Sequence, residues 1–144
     1  MGAVSPRWRQ SQKETAKLLG GREQPASGAR PAYKGDITAE GLLCEDKYTE
    51  KDWIRLQRAW LTKITEEAIR RGVKPMLTFR LGSAGKWSLR PVMQVWVAAK
   101  GREIFWMEKG SLKITAQQLH QQLQTKPTTY LVEGHKIWAI TKMK

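Results

Sequence analysis

Residues 36–47 read Asp36-Ile37-Thr38-Ala39-Glu40-Gly41-Leu42-Leu43-Cys44-Glu45-Asp46-Lys47. The stretch reads as a tight β-hairpin turning at Glu40-Gly41. Counting outward from a two-residue turn, Ala39 faces Leu42 and Asp36 faces Glu45. Directly opposed side chains lie about 4.5–5.5 Å apart at Cβ, and like charges there are destabilising. Lys47 is two residues beyond Glu45 and therefore projects from the same sheet face. A divalent cation bridging the two carboxylates would account for their juxtaposition, so the expectation is a metal-dependent hydrolase site. The plain alternative is a solvated salt-bridge cluster on an exposed hairpin.

The chain has 144 residues, 40% of them apolar, which suits one globular domain spanning 1–144. No apolar run is long enough to span a membrane. The N-terminus carries Arg7 and Arg9 and has no apolar core of a signal peptide, so residues 1–10 are expected to be a mobile basic arm. The single cysteine, Cys44, cannot form an internal disulfide and reads as a small buried side chain, pointing to an intracellular location. Lys and Arg total 26 against 13 Asp and Glu, a net charge of +13. Such a field captures polyanions, and nucleic acid is the expected partner.

Outward from the hairpin, the order reads helix, hairpin, long helix, three strands, helix, hairpin. Ser11 and Glu14 form a capping-box pattern for a helix ending at Gly20-Gly21. Residues 22–35 are rich in Pro, Gly and cations and read as a basic loop. Asp52 is expected to cap a helix running to Arg71, with Trp53, Leu56, Trp60, Leu61, Ile64, Ala68 and Ile69 on one face. Pro75–Leu81 reads as a strand, Gly82–Gly85 as a turn, and Val92–Ala99 as a central strand apolar on both faces. A strand over Glu103–Met107, a short helix from Thr115 and a hairpin around Glu133–Lys136 complete the chain. The expected class is α/β, a mixed central β-sheet flanked by helices.

Hard carboxylate oxygens at Asp36 and Glu45 suit Mg²⁺, with Mn²⁺ as a substitute. His120 and His135 have no ligand spacing, which argues against zinc. Lys47 either assists the attacking water and the charge developing on phosphorus, or serves as a counterion between the carboxylates. Glu14 either adds a carboxylate to the site or belongs only to its capping box. Ser27-Gly28 reads as a phosphate contact or as a simple turn, flanked by Arg30 and Lys34 as phosphate-binding cations. Arg7, Trp8 and Arg9 offer a DNA-binding arm with one stacking ring.

Taken in order, Glu14 in QKETAKLLGG, Ser27-Gly28 in PASGAR, Asp36 in KGDI and Glu45-Asp46-Lys47 resemble the PD-(D/E)xK nuclease superfamily. Within it they are most similar to the Holliday-junction resolvases of archaea and their phage relatives. The resemblance covers roughly residues 11–81. It implies a restriction-endonuclease-like fold and a Mg²⁺-dependent crossover-junction endonuclease that nicks four-way DNA junctions in symmetric pairs. It also implies metal binding by Asp36, Glu45 and Glu14, catalytic roles for Ser27 and Lys47, and a homodimer in the cytoplasm, the host's if the chain is phage-encoded. No membrane or small-molecule cofactor is implied. Gly35 stands where the family has Pro, the hairpin is short, and Gln57 is a loose match to a family Gln. Trp96, Trp106 and Trp138 would line the dimer interface or fill the core. Two further readings stand beside the resolvase. One is a superfamily nuclease acting on single-stranded, linear or end-containing DNA; the other is a non-catalytic module that binds branched nucleic acid.

Overall fold

A computed structural model describes residues 7–23, 36–82, 85–91 and 104–143 of the chain. Helix α1 spans Arg7–Leu19, and strand β1 is the two-residue Arg22–Glu23. The hairpin follows as β2 (Asp36–Ala39) and β3 (Leu42–Thr49). Its register is the expected one, with Asp36 opposite Glu45 and Ala39 opposite Leu42. Gly41 takes φ 74° at the turn, a left-handed conformation that glycine adopts without a Cβ penalty.

Next come β4 (Trp53–Gln57), α2 (Arg58–Arg71), β5 (Lys74–Leu81) and β6 (Gly85–Pro91). The chain ends with β7 (Ile104–Met107), β8 (Ser111–Thr115), α3 (Ala116–Leu123), β9 (Thr128–Glu133) and β10 (Lys136–Lys142). Eight strands form a mixed sheet in the order β1-β2-β3-β5-β6-β10-β9-β7. The β3–β5 and β7–β9 pairs are parallel. Strands β4 and β8 make a separate antiparallel ribbon. The mixed α/β architecture matches the sequence-based expectation.

Two apolar clusters define the layers. On one side of the sheet, Leu43, Leu77, Phe79, Trp87 and Trp138 pack with Leu61, Ile64 and Ala68 of α2, Leu119 of α3, and Ile54, Leu56 and Ile114 of the ribbon. On the other, a small cluster joins Ala16 of α1 to Ile37, Cys44 and Met76. Alternate residues of a strand face opposite sides, so Leu43 and Cys44 enter different cores. At Gly82 an added Cβ would meet the Glu50 carbonyl oxygen at 2.1 Å, so only glycine lets the chain leaving β3 pass there.

Several boundaries differ from the sequence reading. Trp53–Gln57 is a strand rather than the first turns of the long helix. Ile54 and Leu56 are buried while Arg55 between them is exposed, a period of two that the spacing of Trp53, Leu56 and Trp60 conceals. Ile69, placed on the buried face by that pattern, is 70% exposed. Gln57 accordingly ends β4 instead of lying on the helix. Helix α1 begins at Arg7, so Arg7–Gln10 belong to a helix, and Ser11 lies inside it as a fully buried residue rather than a cap. Strands β6 and β8 had no counterpart in the reading, and β1 pairs Arg22 and Glu23 with β2 where residues 22–35 read as a loop. Trp138 is core, Trp106 is 56% exposed, and Trp96 with the expected strand 92–99 lies outside the described residues. No described helix is long and apolar enough to cross a membrane.

The strand assignment of 53–57 has a direct consequence. Leu56→Ala should lower unfolding free energy by about 2–5 kcal/mol, the usual cost of emptying a core leucine site. Arg55→Ala, one residue away on the solvent face, should change it by less than about 0.5 kcal/mol. Urea titrations of the two variants check this; comparable losses in both would contradict the alternation.

Candidate active site

Strand β3 carries the candidate residues, and its alternation sorts them. Glu45 and Lys47 project toward the α2 side, where Leu43 packs; Cys44 and Asp46 project toward α1. Across the parallel pairing, Glu45 lies beside Leu77 and Lys47 beside Phe79. Glu45 is therefore held against apolar neighbours, and its side chain is 7% accessible. Its Oε1 accepts from Lys47 Nζ at 3.0 Å. Its Oε2 is buried and has no hydrogen-bond partner among the described residues.

Lys47 is fixed from a second direction. Its ammonium sits 4.5 Å from the centre of the Trp60 ring, contributed by the first turn of α2. Such a contact is worth roughly 0.5–2 kcal/mol, more as water is excluded. The start of α2 is in turn anchored by Arg58. Its Nη2 donates to the Met107 carbonyl at 3.1 Å, and its Nε lies 3.7 Å from Glu133 Oε2. Arg58 also donates its backbone N–H to the Gly110 carbonyl. The sequence reading placed Trp60 on an apolar helix face and Glu133 in a hairpin turn, and gave neither of them, nor Arg58, a role at the site.

A buried carboxylate oxygen without a donor costs about 1–3 kcal/mol or more unless water or another group supplies one. Glu45 Oε2 is a hard oxygen of the kind Mg²⁺ takes, and Asp36 stands directly opposite Glu45 in the register. The Asp36 side chain lies outside the described residues. Among the described residues no group of three or more His, Cys, Asp or Glu side chains could hold a metal.

The other expected residues are not gathered at Glu45. Glu14 forms an ion pair with Arg80. Arg80 shares the α1 side with Thr78 and Asp46, so Glu14 lies across the sheet from Glu45. Arg7 pairs with Glu50 at 3.5 Å, both largely exposed, and Arg9 is exposed. Ser27, Gly28, Arg30 and Lys34 lie outside the described residues.

Asp46 has a different role, one the sequence reading missed. Its Oδ1 accepts from Thr15 Oγ1 at 2.9 Å and Thr78 Oγ1 at 2.6 Å, and its Oδ2 accepts from Ser11 Oγ at 2.9 Å. Desolvation raises its pKa above the ordinary 3.8, although the three hydroxyls and Arg80 act in the opposite direction. Neighbouring Cys44 is fully buried, 3.4 Å from the Thr78 hydroxyl, and burial pushes its thiol up to about 12. That thiol is structural, as expected from the sequence, and unreactive in the folded chain.

A separate cleft of about 680 Å³ is lined by Asp52, Trp87, His120, Gln121 and Lys142 among others. His120 meets the Trp87 ring edge-on at 5.6 Å between centroids. None of the expected site residues lines it. No protein-family model matches the sequence, and no curated protein is similar enough to count as a relative.

The Asp46 network makes a signed prediction. The folded chain takes up a proton at Asp46 at higher pH than the unfolded chain does. This group's contribution to stability therefore falls as pH rises from 3.8 to its raised value, and is level above that. Asp46→Asn keeps an acceptor for Thr15 and Thr78 and offers Ser11 a donor. It should fold and gain stability relative to the native chain as pH rises through that interval. Asp46→Ala leaves three hydroxyls without their acceptor and should cost about 2–4 kcal/mol at neutral pH. Denaturant unfolding across the acid range measures both.

Proposed function

We propose that this chain is a metal-dependent endodeoxyribonuclease with a PD-(D/E)xK core, resolving four-way DNA junctions by paired symmetric nicks. The observation that carries the reading is Glu45: a buried carboxylate with one oxygen on Lys47 and the other without a partner among the described residues, opposite Asp36 in the hairpin register. The order of helix, hairpin, helix and then a strand parallel to β3 supports it, as does the net charge of +13.

The orphaned Glu45 oxygen fits a hard divalent cation, and Asp36 and Glu45 would hold it. When bound, Mg²⁺ supplies an activated water and offsets charge on the scissile phosphate. The chain's own residues do the rest. Glu45 fixes the Lys47 ammonium at 3.0 Å, and the Trp60 ring confines it from the other side. Held so, Lys47 offers a donor to a phosphate oxygen as charge develops there, with little reorganisation. Cleavage leaves 3′-hydroxyl and 5′-phosphate ends. Paired nicks call for two sites related by a two-fold axis, hence a homodimer. Trp106, exposed on the last strand in the sheet order, is available for such an interface.

A second reading is a superfamily nuclease that acts on single-stranded or linear DNA. The Glu14–Arg80 ion pair favours it, because the first-helix carboxylate is then engaged away from Glu45.

The deciding assay compares a labelled four-way junction, linear duplex and single strand, each with Mg²⁺, Mn²⁺ or EDTA. Symmetric nicks on the junction alone, abolished by EDTA, are expected. Equal cutting of linear DNA would select the second reading. Binding without any cutting would leave a branched-DNA-binding module. Glu45→Gln should reduce cleavage by at least roughly 100-fold, the scale of losing a charge-stabilising group at the reacting phosphate. Its DNA affinity should persist, because phosphate contacts dominate binding.

A further inference from the structure

The β4–β8 ribbon has two unlike faces. Ile54, Leu56 and Ile114 turn into the main core. The opposite face carries Trp53, Arg55 and Gln57 from β4, with Ser111, Lys113 and Thr115 from β8. Arg55 and Lys113 are direct partners in the register, and both are exposed. Two cations directly opposed across a strand pair repel, and sheets ordinarily place opposite charges there. None of the six residues on this face is acidic. Arg55 has no ion-pair partner among the described residues.

The third cation comes from the turn before β4. The Lys51 ammonium lies 4.8 Å from the centre of the Trp53 ring, and that of Lys113 lies 4.7 Å from it. One half-buried indole thus holds two ammonium groups, and Arg55 is the register partner of Lys113. Cation–π contacts fix the lysine stems without neutralising their charge. The result is a small, positioned array of positive charge in which none of the three cations forms an ion pair among the described residues.

We infer that the outer face of this ribbon is a DNA-docking surface, where Lys51, Arg55 and Lys113 bind phosphates of a duplex arm. The inference rests on the reading of the chain as a DNA nuclease and adds a binding surface to it. Charge complementarity selects the occupant: a polyphosphate offsets the repulsion that the fold leaves in place. The dimensions agree. Five residues of strand span roughly 16 Å, the length of about five base pairs. Position also agrees, because the ribbon lies on the same side of the main sheet as Glu45 and Lys47, and β4 runs directly into α2, which supplies Trp60.

The test measures binding of the full chain to a labelled duplex and four-way junction in EDTA, over a range of salt. The variants are Arg55→Ala with Lys113→Ala, the single charge reversal Lys113→Glu, and a control pair outside the ribbon, Arg70→Ala with Lys136→Ala. Loss of two phosphate contacts should weaken binding by roughly 10-fold to 30-fold near physiological salt. It should also make the slope of log affinity against log salt shallower by about two. The control pair should leave the slope close to native. Lys113→Glu should weaken binding while raising thermal stability, because it places opposite charges across the ribbon; a merely structural role would move both downward.

Native slope and affinity in both ribbon variants would overturn the inference and leave the nuclease reading standing. No DNA binding by the unaltered chain would overturn both. Binding of duplex RNA that depends on the ribbon, with DNA binding unaffected by it, would overturn the assignment to DNA.

Discussion

Asp46 and the three hydroxyls around it set the orientation of everything else on β3. The small apolar cluster beneath α1 gives that helix little burial, so the bonds from Ser11 and Thr15 carry much of its attachment to the sheet. Thr78 donates to the same carboxylate from β5 and ties the parallel pair at that level. Because a strand alternates, directing Asp46 toward α1 directs Glu45 and Lys47 toward α2. A slip of one residue would expose the clamp and bury the candidate site on the wrong side. The raised pKa of Asp46 shows that desolvation exceeds the gain from its hydrogen bonds, so the clamp works by specifying geometry more than by stabilising charge.

The α2 side is arranged differently. There the polar groups hold one another at a distance from α1: Arg58 locks the first turn of α2 to Met107 and lies beside Glu133, and Trp60 from that turn confines Lys47. Each step depends on the one before it. Moving α2 by a single turn would shift Trp60 by about 5.4 Å and release the lysine. The main core, with Leu61, Ile64 and Ala68 beneath the helix, resists that shift.

The hairpin was legible because its signals are local. A turn with glycine, short flanking runs and alternation determine a register without reference to distant chain, and Asp36 opposite Glu45 followed from counting. The last hairpin and the start of a short helix at Thr115 were legible for the same reason. β4 was not, because Trp53, Leu56 and Trp60 fit helical spacing and the strand's partner, Ser111–Thr115, lies far along the chain. Asp46 was within reach. Adjacent acids on a strand must face opposite ways, and Ser11 and Thr15, four apart on a helix, could have been matched to the second of them. The Glu14–Arg80 pair depends on which face α1 covers, which pattern alone does not fix.

The ribbon shows how the chain tolerates an excess of positive charge. Opposed cations at Arg55 and Lys113 cost a few tenths of a kcal/mol, up to about 1. Burying a side chain such as Leu56 or Ile114 yields about 1.5–3 kcal/mol. The inner face of the ribbon therefore holds the two strands together against the repulsion on its outer face, and the core that anchors the ribbon is the same one that packs α2. An outer face maintained in this way stays poised to gain from a polyanion, since a phosphate brought between the cations relieves a strain already present in the folded chain. Selection for stability alone would place an acid at one of those two positions, and the chain carries a cation at both.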